Sequence, residues 1–135
     1  MNKIGTAHNP PTVWTVPEGF RSIYSHAFEV GHAEKVLYVS GQFGVAPDGT
    51  LPEDFVGQLD QAMNNVEALL AAAGMGKENI VKITYFLARK DDFPLLGQKR
   101  RERWARSEPP AVTAIVVAGL ARPEYLVEIE VVAAA

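Results

Sequence analysis

The chain has 135 residues, 47% hydrophobic and 21% charged, which predicts one globular domain spanning 1–135 with enough apolar surface to bury a core. With 13 Lys and Arg against 16 Asp and Glu the net charge is −3, so the chain lacks the basic field of a dedicated nucleic-acid binder. There is no cysteine, which excludes disulfides, thiolate metal sites and a cysteine nucleophile.

The N-terminal 1–20 carry Pro10, Pro11 and Pro17 without a clear period and read as an extended arm. Its polar residues interrupt any secretory apolar core and no stretch approaches a membrane span, so a cytoplasmic protein is expected. Arg21 to Val30 alternates loosely and Gly31-His32-Ala33-Glu34 turns the chain, which predicts that this strand pairs antiparallel with the next. Val36 to Val39 is a near-continuous apolar run, the pattern of a strand covered on both faces. Ser40-Gly41-Gln42 breaks it, reading as a strand end with a bulge or as a binding edge, and a short strand is expected near Phe43 to Val45. Ala46-Pro47-Asp48-Gly49 has turn chemistry, and Thr50-Leu51-Pro52-Glu53 has the spacing of a capping box. The helix that follows places Phe55, Leu59, Ala62, Met63, Val66, Leu69, Leu70 and Ala73 at threes and fours and stops at Gly74.

Ile80 to Leu87 alternates as a strand, and Asp91-Asp92-Phe93-Pro94 opens a second helix. That helix carries Leu95, Leu96 and Trp104 beside five cations between Lys99 and Arg106, read as a solvated face in preference to an RNA surface because no aromatic stacking platform interleaves them. After Pro109-Pro110, Ala111 to Leu120 is apolar at both parities apart from Thr113, so both faces of this strand need cover. Two helices cover one face of so small a sheet, and a second subunit is the simplest cover for the other. Leu126 to Val132 alternates Val127, Ile129 and Val131 with Glu128 and Glu130, which share the face turned toward that subunit. The expected fold class is α+β, a mixed sheet with two helices on one face.

His8, His26 and His32 lack zinc-ligand spacing, and no nucleotide-binding glycine loop or hydrolase elbow occurs. Tyr24, Ser40-Gly41, Thr113 and Glu128 remain, each with a plain structural reading: a strand aromatic, a strand-end hydroxyl, a β-branched filler, an edge charge or ion pair.

Their order along the chain resembles the Rid family of reactive-intermediate enamine/imine deaminases, also labelled YjgF or L-PSP endoribonucleases. The resemblance spans Ser22 to Val132 and is carried by Tyr24-Ser25-His26-Ala27, Val39-Ser40-Gly41-Gln42, Pro47-Asp48-Gly49, Gln58, Asn65 and Glu67, Ala72-Ala73-Gly74, Val81-Lys82, Asp92-Phe93, Pro109-Pro110-Ala111 and Val127-Glu128-Ile129-Glu130. It implies a chorismate-mutase-like homotrimer with clefts between subunits and cofactor-free hydrolysis of imines. It also implies site roles: Tyr24 lining the cleft, Ser40 and Gly41 giving polar contact and close backbone approach, Ala114 a backbone donor, and Glu128 as the catalytic residue that activates water. The family's carboxylate-clamping arginine falls at Val112, which cannot replace a planar bidentate donor; Gly97 and His26 also depart from the family pattern. The expected function is therefore hydrolysis or binding of a small imine, enamine or related carbonyl compound, with reduced activity on 2-imino acids and with His26 or Arg122 as candidate substitutes for the arginine. A non-catalytic ligand-binding trimer is the alternative, and endoribonuclease activity ranks third. The partners expected are the chain itself and a small molecule, with neither membrane nor nucleic acid.

Overall fold

A computed structural model describes residues 3–135. In chain order the main elements are β1 (Thr6–His8), β2 (Ala27–Glu29), β3 (Val36–Phe43), α1 (Phe55–Ala72), β4 (Ile80–Leu87), α2 (Phe93–Arg103), β5 (Ala111–Val116) and β6 (Val127–Ala134). β3, β6, β4 and β5 form a four-stranded sheet in that order, in which only β4 and β5 run parallel. Val127, Ile129, Val131 and Ala133 on β6 and Ile83, Tyr85 and Leu87 on β4 turn to one face, where Leu59, Ala62, Met63, Val66 and Leu70 of α1 and Leu96 of α2 complete the core. This is the expected α+β arrangement. Among the described residues no helix is long and apolar enough to cross a membrane.

The N-terminal region differs from expectation. β2 pairs with β1, through Thr6↔Glu29 and His8↔Ala27, and not with β3. The chain before β2 is tied to the far edge of the sheet: the Ser25 amide donates to the Pro110 carbonyl at 2.9 Å, and Ser25 bridges Ala111 at the start of β5. β2 therefore lies beyond the reach of β3, and the arm supplies its partner instead. Gly5 permits that pairing, because a Cβ there would stand 2.1 Å from the Glu29 carbonyl oxygen. Met1 and Asn2 of the arm lie outside the described residues.

Several local boundaries also shift. Leu51 precedes Pro52, which pushes it out of the helical region, so α1 begins after Asp54, whose carboxylate accepts from the Gly57 amide at 3.2 Å. Thr50 donates instead to Asp48 at 2.8 Å, beside a turn in which Gly49 has φ +89°. No separate strand forms at Phe43 to Val45; both carbonyls accept from the Asn65 side chain, at 3.1 and 2.9 Å. β5 stops at Val116, short of Leu120, because its partner β4 ends at Leu87. At the end of α1, the Met75 amide donates to the Leu70 carbonyl and the Gly74 amide to that of Ala71, each at 2.9 Å, with Gly74 at φ +71°.

The cation run is not a solvated face. Arg103 donates to Asp60 and to Asn64 on α1 and pairs with Glu67, whose carboxylate also accepts from Trp104 Nε1 at 2.8 Å. Lys99 pairs with Asp60 and Glu102, and Arg106 donates to the carbonyls of Lys77, Ile80 and Glu108. Arg100 is buried. These contacts brace α2 against α1 and the start of β4.

Candidate functional site

The open face of the sheet carries the first group of candidate residues. Between the pairs Val39↔Val131 and Gln42↔Ile129, β3 places Ser40 and Gly41 opposite the single residue Glu130, a β-bulge. Gly41 makes room there for the Glu128 carboxylate: a Cβ would sit 1.7 Å from Oε2 of Glu128 and 2.6 Å from its Cδ. The bulge thus cradles the Glu128 carboxylate, which lies on the central strand β6 beside Phe43 and Phe86. Partial burial holds the Glu128 carboxyl above its ordinary value, and the neighbouring Glu130 adds to this. Across the same face Lys82 donates to the Thr113 hydroxyl at 2.8 Å, and burial holds its ammonium below the ordinary lysine value against the opposing pull of Glu130. The apolar run of β3 is covered on one side only within the chain, leaving Tyr38 78% exposed on the other.

The second group lies elsewhere. Val112 and Ala114 pair in register with Ile83 and Tyr85, residues of the helix-side face, and they floor a groove of about 360 Å³ at the β5 edge. Trp14, Phe20, Tyr24 and Phe93 give it aromatic walls, and His26 and Arg100 are its basic side chains. The His26 ring meets Trp14 edge-on at 5.3 Å and Tyr24 at 5.9 Å. Its Nε2 lies 2.5 Å from the Trp14 carbonyl, which can only accept, so Nε2 carries the proton. The His26 amide donates to Asn9 at 2.8 Å, so the arm is pinned over the groove at two points.

The structure therefore brings Tyr24, Val112 and Ala114 together and, separately, Ser40, Gly41 and Glu128. β4 separates β6 from β5 in the sheet, and the two groups face opposite sides. Arg122 is exposed in the turn before β6 and does not line the groove, whereas His26 does. Among the described residues no cluster of three or more His, Asp or Glu could hold a metal ion.

Residues 20–135 match the family model described as Endoribonuclease L-PSP. The chain is a member of this Rid/L-PSP family. A RutC family protein of Aquifex aeolicus is 41% identical over 76 residues, 56% of this chain and 58% of that one. A mouse 2-iminobutanoate/2-iminopropanoate deaminase is 35% identical over 112 residues, covering 82% of this chain and 79% of its own length. Among solved structures, the Rid-family protein YyfB of Yersinia pestis superposes with a TM-score of 0.85 at 26% identity, covering 98% of this chain and 99% of that one.

Arg100 lines the groove but was absent from the residues that the sequence offered as candidates. It was grouped with a charge run, yet it falls four residues after Leu96 and four before Trp104, on the buried stripe of α2. A cation at a core position of a helix was the available signal. Trp14 and Phe20 had no comparable mark, because only the folded arm brings them to Tyr24.

Proposed function

We propose that this Rid protein hydrolyses a small reactive imine or enamine in a cleft completed by a second copy of the chain. The observation that carries the reading is Glu128: a carboxylate seated against a bulge where the missing Cβ of Gly41 gives it room, held above its ordinary value, on a face that the chain itself leaves uncovered. In the reaction an imine and one water give a carbonyl compound and ammonia: water attacks the imine carbon while Glu128 takes its proton. Glu128 returns that proton to the nitrogen, giving a neutral carbinolamine; it then takes the hydroxyl proton and delivers it to the nitrogen as the C–N bond breaks, so that ammonia departs and the carbonyl forms. Groups carrying partial positive charge at the Gly41 bulge and the Ala114 backbone hold the electrophile.

Because the two halves of the site occupy opposite faces, a working site needs one copy's Tyr24, Val112 and Ala114 near another copy's Ser40, Gly41 and Glu128. Homo-oligomerisation, a trimer by family resemblance, supplies that juxtaposition, and covering the open face gives it a hydrophobic driving force. The relatives named as 2-iminobutanoate/2-iminopropanoate deaminases support imine chemistry, while Val112 at the clamp position argues for weaker handling of those two substrates. The same valine favours the second reading, a ligand-binding trimer without turnover. The endoribonuclease reading has less support, since Arg103 and Arg106 are engaged within the fold. A cytoplasmic setting fits a protein without cysteine.

The test couples purified protein to a threonine dehydratase that generates 2-iminobutanoate, and to an amino-acid oxidase for bulkier imines, and follows imine loss. Hydrolysis that disappears in a folded Glu128→Gln variant is expected. No acceleration of any imine's decay would overturn the hydrolytic reading in favour of the ligand-binding one.

A further inference from the structure

Arg100 is 6% exposed, yet among the described residues no carboxylate lies within ion-pair distance of it. Its hydrogen bond within the chain runs from Nη2 to the Ile23 carbonyl at 3.2 Å, and its guanidinium carbon lies 5.1 Å from the centre of the Tyr85 ring. Neither contact neutralises the charge. The Tyr85 hydroxyl is fully buried beside the guanidinium and burial raises its pKa, so it remains a neutral phenol and supplies no counter-charge. A guanidinium does not lose its proton in a protein, and a buried charge left unpaired is costly. The other arginines of this region spend their donors on carboxylates and carbonyls, whereas Arg100 lines the groove with most of its five-donor fork uncommitted.

The groove around it has a definite chemistry. Val112, at the position where the family resemblance places the clamping arginine, and Ala114 are both small and apolar, and they leave space in front of Arg100. Trp14, Phe20 and Tyr24 stand at the rim, and Trp14 is 65% exposed although it is large and aromatic. A volume of about 360 Å³ lies at the small end of ligand pockets.

We infer that Arg100 is this protein's anion clamp, relocated from the fifth strand to the second helix, and that the groove takes a carboxylate joined to an aromatic or similarly bulky apolar group. The fork matches a planar carboxylate, and the aromatic rim matches the ligand's apolar body. As a specificity assignment it rests on the cleft proposed above, with the substrate class moved from short 2-imino acids to bulky apolar ones.

The probe is phenylacetate, compared with its neutral isostere phenylacetamide and with propionate, measured by calorimetry on the purified full chain. Wild type should bind phenylacetate at least about tenfold more tightly than either, the scale expected of a charge-assisted bond and an apolar contact. Arg100→Gln should abolish the preference for acid over amide while leaving amide binding unchanged, and Arg100→Lys should retain part of it. Equal affinity of wild type for acid and amide would overturn the inference without recourse to any variant. So would an acid preference that persists in Arg100→Gln. The two proposals fail separately: a clamp that depends on Arg100 in a protein that hydrolyses no imine upholds this inference and defeats the hydrolytic reading.

Discussion

Gly41→Ala tests the cradle of Glu128 with a single methyl group. The added Cβ would lie 1.7 Å from Oε2, 2.6 Å from Cδ and 2.9 Å from Cγ of Glu128, where non-bonded heavy atoms rest at about 3.5 Å. The carboxylate is the free end of a flexible side chain, so it retreats and the backbone stays. A retreat of about 1 Å or more misplaces a general base by enough to cost about a hundredfold in rate, or about 2.7 kcal/mol in the barrier. Stability moves differently. Gly41 does not occupy the left-handed region, so alanine adds no backbone strain there and restricts the unfolded chain, worth about 0.4–1 kcal/mol in favour of folding. The expected result is a protein that melts at or above the wild-type temperature, hydrolyses imines about a hundredfold more slowly, and shows a Glu128 carboxyl shifted toward its ordinary value by carbon-13 NMR titration. Full turnover together with an unshifted Glu128 titration would refute the cradle.

Further outcomes follow from the same geometry. The pH profile of kcat/KM should rise through Glu128 above the ordinary glutamate value of about 4.3, and Glu130→Gln should move that limb down, since Glu130 adds to the effect of burial. A raised value also means that the folded state holds this proton more tightly than the unfolded chain; its contribution to stability is present at low pH and is lost as pH rises through the folded value, measurable as a smaller loss in Glu128→Gln. Val112→Arg in an Arg100→Gln background should raise 2-iminobutanoate turnover about tenfold or more in the coupled dehydratase assay, because the clamp returns without a second cation crowding the groove. Ile115→Asp should dissociate the assembly in sedimentation velocity: Ile115 is exposed on the open face of β5, whereas Ala114 and Val116 share the parity that faces the helices. Leu59→Ala, at a fully buried position of α1, should lower stability by about 2–5 kcal/mol in urea titrations.

Periodicity made α1, β4 and β6 legible, and the acidic cap with its early proline marked the start of α2. The 3.6-residue stripe from Phe55 to Leu70 and the alternations in β4 and β6 are consequences of one face meeting water and the other meeting the core, and each such pattern is written locally. The parity that put Glu128 and Glu130 on the uncovered face came from the same source, whereas the turn at Gly49 and the stop at Gly74 were legible from residue type, because their positive φ favours glycine. The Val112 substitution was equally visible, since it depends on residue identity alone.

Pairing partners and the company kept by isolated polar groups were decided by tertiary structure. The sequence around Ala27 specifies a strand but not its neighbour; the Ser25 contact with Pro110, more than eighty residues away, drew it to β5 and left the arm to pair with it. The division of the candidate site between two faces is likewise invisible in residue order, because it depends on where β5 and β6 fall in the sheet. Arg100 shows why: five cations between Lys99 and Arg106 look alike to composition, whereas the helix turns one of them inward, and only the packing of α2 beside Tyr24 and Val112 sets that one in a groove.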